Sequence, residues 1–325
     1  TFFRLRNLVS NRYMTAESSD AVRVYNNCDA QSTIFYIDAN NNLLSYAFGR
    51  YLDCKNKVLA TVGAKFGDAL FAKKCCASYL PNVLAYYNNS SWIFGDKNNG
   101  EQVDKGTGNQ PNNEGYNWVF ERVTTLPVTI TSAGYATFYC PVAVTLPGDL
   151  KAYAVSEAAD GKAMMTEING TIPANTGVIL KGNEGTYELI IATETSVASD
   201  ETNLLTGTVA STYVDEESYV LSKQTEGVGF YKAKKNFTVA ANGTGTKVAE
   251  DATGTHFLNN GFKAYLPIVS EARFFVFDFG GNETGIDELE GENGNVKTEI
   301  YDLAGRRVQN AQKGVFVVNG KVVIK

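Results

Sequence analysis

Short stretches of alternating apolar and polar residues run along most of this chain. "RFFVFDF" is the clearest of them: Phe275, Phe277 and Phe279 fall on one face of a strand, while Phe274 and Val276 share the other. Apolar residues on both faces are typical of a central strand. Long stretches of helix-forming residues at a spacing of 3.6 are missing, and Gly, Asn and Thr are frequent between the apolar runs. The pattern predicts an all-β protein.

A repeat of about 40 residues occupies positions 1–123. "NRYMT" (11–15) is echoed by "GRYLD" (49–53), and "SWIFG" (91–95) is the best third copy. "STIFYI" (32–37) and "NWVFERV" (117–123) each close a unit. Three such units predict a β-trefoil, because no single unit can bury its own apolar face. The repeated Tyr13 and Tyr51, and Trp118 of the closing strand, are predicted core residues.

The 95–116 segment, "GDKNNGEQVDKGTGNQPNNEGY", consists almost wholly of turn-forming residues. It predicts a long, exposed loop before the closing strand.

From 124 to 281 the chain contains many short apolar runs, among them "TGVILKG", "VGFYKA" and "FKAYLPI", separated by Gly, Asn, Asp and Thr. Many short strands at this spacing predict a β-sandwich domain.

The last region, 282–325, begins as an acidic, polar linker and ends as a small β module. "KTEIYDLAGRRV" and "GVFVVNGKVVIK" predict three short strands. "VNGKV" contains the Asn-Gly pair of a tight hairpin turn. The predicted order is therefore a β-trefoil, a β-sandwich and a small C-terminal module.

Composition and charge narrow the class of partner. The 325 residues suit about two domains, and the net charge of −6 comes from interspersed acidic and basic residues. The sequence has no stripe of basic residues that would bind phosphates, so a nucleic-acid partner is not expected. No apolar run reaches the ~18 residues that a membrane span needs. Because the chain begins inside a strand pattern, we expect that a signal peptide has been removed before it.

The sequence contains few residues or motifs that indicate a catalytic or metal-binding site. The single histidine, His256, excludes most catalytic triads and multi-histidine metal sites, and phosphate-loop and nucleophile-elbow motifs are missing. We therefore expect no enzyme, no cofactor and no metal site, although a carboxylate pair could still cleave glycans without histidine. Among five cysteines, Cys28 and Cys54 could form a disulfide; the alternative is that all five are buried thiols.

Three resemblances follow from these motifs. "TGIDELEGENGNVKTEIYDLAGRRVQNAQKGVFVVNGKVVIK" resembles the C-terminal sorting module of secreted and surface proteins of Bacteroidetes, which implies a secreted or outer cell-surface location. "GYATFYCPVAVTLP" and "IPANTGVILKG" are similar to a β-rich module of such proteins. "FRLRNLVSNRYMTAES" and "NWVFERV" resemble ricin-like β-trefoil domains, although the Gln-x-Trp mark of that family is replaced by Tyr116-Asn117-Trp118.

The ricin-like resemblance implies carbohydrate binding by the first domain. Sugars stack on an aromatic face and bond to amides and carboxylates, so the candidate ligand-binding residues are Trp92, Tyr86, Tyr87, Asn88 and Asp96. Trp92 could instead be a core residue of the third repeat. Two other functions stay open: a structural or adhesive surface protein with protein partners, and a β-trefoil protease inhibitor that projects the 95–116 loop.

Overall fold

A computed structural model provides the structure of the chain. The described residues form fourteen stretches: 1–17, 21–28, 31–39, 43–53, 58–59, 83–85, 92–107, 115, 117–193, 202–280, 300–302, 307–308, 315–318 and 321–324. They contain β-strands and one turn of 3-10 helix, Gln31–Thr33, and no α-helix. The protein is all-β and is built from several sheets, as the alternation pattern predicts.

Eleven strands of the first region lie within the described residues. They are β1 (Phe2–Asn7), β2 (Tyr13–Ala16), β3 (Val22–Tyr25), β4 (Ile34–Ile37), β5 (Leu43–Ser45), β6 (Leu52–Asp53), β7 (Val58–Leu59), β8 (Val83–Ala85), β9 (Trp92–Gly95), β10 (Asp104–Thr107) and β11 (Asn117–Arg122).

Strand β1 is the centre of this region, because it pairs antiparallel with β2, β4 and β11. The closing strands of the two predicted units, β4 and β11, therefore both pair with it. Three hairpins, β2–β3, β6–β7 and β9–β10, begin at the three copies of the repeat. Much of the second unit, at 60–82, lies outside the described residues. The trefoil stays a prediction.

Strand alternation fixes which repeated residues are buried. Trp118 is fully buried, as predicted, and packs with Phe3, Leu5 and other apolar side chains of the first region. Tyr13 and Tyr51, predicted as core residues, are only half-buried. The residue after each, Met14 or Leu52, is fully buried instead. Successive side chains in extended backbone point to opposite faces, so the core position of the repeat is one residue later than predicted.

The predicted loop at 95–116 is in part regular structure. It contains β10, and backbone hydrogen bonds join its residues 100–103 to β3, among them Gly100 N–H to Val24 O at 2.8 Å and Val103 N–H to Val22 O at 2.9 Å. Val103 is fully buried. The prediction of an exposed loop is therefore wrong for this stretch. The buried side chain of Val103 and the backbone hydrogen bonds hold a largely polar segment against β3.

Seventeen strands of the second region lie within the described residues. They are β12 (Thr125–Ile130), β13 (Tyr135–Phe138), β14 (Val144–Thr145), β15 (Lys151–Ala159), β16 (Lys162–Ile168), β17 (Thr171–Ile172), β18 (Val178–Lys181), β19 (Gly185–Ile191), β20 (Thr206–Thr208), β21 (Thr212–Val214), β22 (Tyr219–Gln224), β23 (Gly227–Lys232), β24 (Phe237–Val239), β25 (Gly245–Lys247), β26 (Phe257–Asn259), β27 (Lys263–Tyr265) and β28 (Phe274–Asp278).

Two sheets of this region share an apolar core. The four-stranded sheet has the order β12-β19-β14-β17, and the seven-stranded sheet has the order β13-β18-β15-β16-β28-β23-β22. Leu126 and Leu189 from the first sheet meet Val178 and Leu180 from the second in one buried cluster. Ile179, between the last two, faces a different cluster on the far side of the larger sheet. That sheet is therefore buried on both faces along β18.

Strand β28 lies inside the seven-stranded sheet, between β16 and β23, as predicted for a central strand. Phe275 and Phe277 are buried in the cluster that contains Ile179, and Phe279 packs against it. On the other face Val276 is 37% exposed, so only one face of this strand is fully covered.

The first and second regions are joined by a shared core. Phe2, Ile34, Leu44 and Tyr46 of the first region belong to the same buried cluster as Leu126 and Phe262 of the second. Residues Thr1–Gly285 accordingly form one compact unit.

Phe262 is the centre of this junction. Its ring lies 5.7 Å from that of Phe2, 4.8 Å from that of Tyr46 and 6.5 Å from that of Tyr36, between ring centroids. The neighbouring backbones approach so closely that a Cβ on Gly49 would lie 2.5 Å from the Cα of Gly261. Only glycine fits this approach on either side.

Residues Ile286–Lys325 form a second compact unit. Its strands are β29 (Ile300–Asp302), β30 (Arg307–Val308), β31 (Val315–Val318) and β32 (Lys321–Ile324), in the order β30-β29-β31-β32. Val318 pairs with Lys321, which confirms the predicted hairpin between β31 and β32. The described residues of the module form four strands, whereas three were predicted, because the two-residue β30 is too short to show alternation.

Cysteine chemistry is limited in the described part of the chain. Cys28 is a half-buried free thiol, and its predicted partner Cys54 lies outside the described residues. Cys140 is a buried free thiol whose pKa is raised to about 12, chiefly by desolvation. A thiol that stays protonated at neutral pH is a poor nucleophile, so Cys140 is a core residue.

We predict that Phe262→Ala lowers the free energy of unfolding of the 1–285 unit by about 3–5 kcal/mol, because the ring fills the junction between the two regions. Urea denaturation followed by tryptophan fluorescence measures the change. Val269→Ala is the control, since that side chain is 84% exposed and its loss should stay within about 0.5 kcal/mol. Equal effects of the two substitutions would contradict the shared core.

Candidate functional site

The third hairpin carries the main sequence-predicted site. Trp92 begins β9 and pairs in register with Thr107 at the end of the hairpin away from the 96–103 connection. Asp96 directly follows β9, and its backbone N–H donates to Gly115 O at 2.9 Å. Tyr86, Tyr87 and Asn88 lie outside the described residues. The structure thus places Trp92 and Asp96 four residues apart on one hairpin, and the joint site stays a prediction.

Asp96 is engaged by the turn between β1 and β2. Arg12 donates through Nη1 to Asp96 Oδ2 at 2.8 Å and to the Lys97 carbonyl at 2.7 Å. The two side chains are 26% and 17% exposed, respectively. Arg12 Nε and Asp96 Oδ1 are buried without a hydrogen bond. The ion pair therefore joins the first repeat to the third and supports the hairpin that begins at Trp92.

The same turn is held by a second polar network. Asn7 donates through Nδ2 to Gly115 O at 2.9 Å, and its Oδ1 accepts the N–H groups of Val9 and Ser10. Glu121 accepts a hydrogen bond from Arg6. Desolvation, together with a hydrogen bond to Glu121, raises the pKa of Tyr13 to about 12. These contacts hold the backbone of the β1–β2 turn in place without a ligand.

A cleft that the sequence did not indicate lies in the second region. It has a volume of about 480 Å³, within the range of small-molecule sites. The described polar residues of its lining carry hydroxyl, amide or ammonium groups, and none of them is a carboxylate or a histidine: Thr129, Thr131, Tyr135, Thr137, Lys234, Asn236, Asn259, Asn260 and Lys263. Its apolar lining is Ala136, Val220, Leu221, Ala233, Phe237, Phe257, Leu258 and Ala264.

Lys263 is the most unusual residue of this cleft. It lies on β27, and its ammonium donates to the backbone carbonyl of Thr137 at 3.3 Å. Desolvation lowers its pKa below the ordinary value of 10.5. Asn259 is buried and donates to Lys263 O at 3.1 Å and to Thr208 Oγ1 at 2.9 Å, which fixes the backbone at Lys263. This site could not be predicted from the sequence, because Lys263, in "FKAYLPI", has the position of an ordinary polar strand residue.

His256, the only histidine, is half-buried at the edge of the second region. Thr255 Oγ1 lies 2.7 Å from its Nδ1, and its backbone pairs with Phe237. No group of three or more His, Cys, Asp or Glu side chains that could hold a metal ion occurs among the residues with described positions. Within that same part of the chain, no helix has the length and apolar character of a membrane span.

We predict that Asp96→Asn lowers the free energy of unfolding by about 1–3 kcal/mol, because Arg12 loses its charged acceptor while remaining largely buried. Asp149→Asn is the matched control on an exposed carboxylate. Chemical denaturation of both variants measures the effect. An Asp96→Asn variant as stable as the wild type would show that the Arg12–Asp96 ion pair contributes little to stability, which contradicts the prediction.

The pKa of Lys263 generates a pH-dependent prediction. Below the depressed folded-state pKa the ammonium is charged in both states, and its desolvation destabilises the fold; above 10.5 that penalty is gone. Lys263→Met should therefore raise the melting temperature at pH 7, and the difference should shrink as the pH approaches 10.5. Thermal melts across this range test it, with the exposed Lys223→Met as control. A lower melting temperature for Lys263→Met at pH 7 would contradict it.

Comparison with known proteins gives no family. No protein-family model and no curated protein matches the chain. Among solved structures, a mosquitocidal holotoxin is similar over 80% of this chain and 33% of its own, with 11% sequence identity and a TM-score of 0.32. The chain thus spans about a third of that toxin's length. A TM-score this low carries no argument about fold or function.

Proposed function

We propose that the chain is a non-catalytic, extracellular or cell-surface binding protein that recognises carbohydrate through its first region. The observation that carries the proposal is the third hairpin, which begins at Trp92 and is held at its other end by the Arg12–Asp96 ion pair. A rigid hairpin suits a weak sugar site, since little entropy is lost in ordering it when the ligand binds. The ligand is a neutral or mildly acidic glycan.

The proposed location rests on the last region. Its motifs resemble the sorting modules of secreted and surface proteins of Bacteroidetes, and the described strands of this region form a compact unit of their own. A compact C-terminal unit suits a signal that an export system recognises. Glycans and surface proteins are the partners expected at such a location.

The other two functions have less support. A protease inhibitor of this fold needs a projecting loop, whereas much of the 95–107 stretch is paired with β3 or with β9. An adhesive protein with protein partners would expose a broad apolar patch. Among the side chains whose burial is described, the exposed large apolar ones are Val9, Ile190, Val269 and Val276.

We predict that Trp92→Ala reduces affinity for a neutral glycan at least about tenfold, because aromatic anchors carry much of the energy of a weak site. A glycan array identifies the ligand, and titration calorimetry compares the wild type, Trp92→Ala and the remote control Val269→Ala. Circular dichroism establishes that each variant is folded.

Three results would count against this proposal. Wild-type protein that binds nothing on a broad array would refute carbohydrate recognition itself. A folded Trp92→Ala variant with unchanged affinity would remove Trp92 from the site. An unfolded variant would assign the tryptophan to the core, and the more conservative Trp92→Phe would then show whether affinity follows the ring or the fold.

A further inference from the structure

We propose that the cleft around Lys263 is a second binding site, specific for a saccharide that carries a carboxylate, such as a uronic acid. The site lies in the second region and takes an anionic ligand, so it goes beyond the carbohydrate site proposed on the third hairpin. The inference rests on three features of the cleft: its charge, its mixture of polar and apolar lining, and its rigid backbone.

The charge of the described lining is positive. Among the lining residues that the structure describes, Lys234 and Lys263 carry ammonium groups and none carries a carboxylate. Lys263 donates to the Thr137 carbonyl and Lys234 to the Glu250 carbonyl at 3.1 Å, so each contact is to a neutral acceptor. A partly desolvated ammonium without a counter-charge is costly, and a bound carboxylate would offset that cost. A local positive site in a chain of net charge −6 is selective for an anion.

The rest of the lining suits a sugar ring better than a simple anion. Thr129, Thr131, Asn236 and Asn260 carry hydroxyl or amide groups that both donate and accept, as sugar hydroxyls do. Phe237 adds an aromatic surface for the apolar edge of a pyranose. An aliphatic acid would leave the hydroxyl and amide groups without partners, which lowers its affinity.

The cleft is also held in shape before binding. Asn259 donates both amide hydrogens within the protein, to Thr208 and to the Lys263 carbonyl. Lys263 itself pairs in register with Thr208 across β20 and β27. The ammonium therefore projects from a fixed strand position, and a carboxylate that enters does not have to order the backbone.

The test is titration calorimetry of the full chain with glucuronate, galacturonate and the neutral sugars glucose and galactose. We expect each uronate to bind at least about tenfold more tightly than its neutral counterpart, the size of one charge-assisted hydrogen bond. Lys263→Met should abolish this preference without lowering the melting temperature, and the exposed control Lys223→Met should keep it.

Several outcomes would overturn the inference. Equal affinity for glucuronate and glucose, or no binding of either uronate, removes the acidic-sugar site. Acetate or phosphate competing as well as glucuronate would reduce the cleft to a general anion site. Trp92→Ala separates the two proposals: it should leave uronate binding intact, and loss of uronate binding in that variant but not in Lys263→Met would place the acidic ligand on the third hairpin.

Discussion

The insertion of Phe262 between Phe2, Tyr36 and Tyr46 is the contact on which the arrangement of the 1–285 unit depends. Phe262 has a φ of 58°, a left-handed conformation that costs a bulky residue about 1–3 kcal/mol. Its backbone is satisfied on both sides, since its N–H donates to Thr208 O at 2.7 Å and its carbonyl accepts from Tyr139 at 3.0 Å. Burial of the ring and these two bonds hold the strained turn in place.

This junction explains why the two regions form one compact unit. Tyr46 Oη donates to Pro127 O at 3.0 Å, and Ser211 donates through its hydroxyl to Phe48 O at 2.9 Å and through its N–H to Gly49 O at 2.7 Å. Polar bonds thus surround the apolar contact. Both proposed binding sites, the third hairpin and the Lys263 cleft, consequently belong to a single folded body, and a rigid scaffold suits sites that rely on a few polar contacts.

The sequence predicted those features that depend on local patterns. Alternation predicted the all-β class and the central position of β28, and the Asn-Gly pair predicted the last hairpin. It did not predict β10, because "DKGT" has no apolar alternation and is positioned by pairing with β9. It placed the core residue of the repeat at Tyr13 and not at Met14, because the sequence period does not show which face is inward.

The contacts of the candidate functional residues could not be predicted from the sequence, for a related reason. Arg12 and Asp96 are far apart along the chain, and so are Lys263 and Thr137; neither pair shares a motif that would bring them together. Asp96 could be predicted as a polar residue near an aromatic one, but not as the partner of Arg12. Lys263 became unusual only when folding removed water from around its ammonium.

The most direct test of the account is native-state hydrogen exchange of the full chain in increasing denaturant. If the Phe262 junction makes residues 1–285 one cooperative unit, the amides of Ile34 and Leu44 should exchange with the same opening free energy and denaturant dependence as those of Leu126 and Leu180. If the first-region amides exchange through a separate opening of lower free energy, the two regions unfold independently and the account is contradicted.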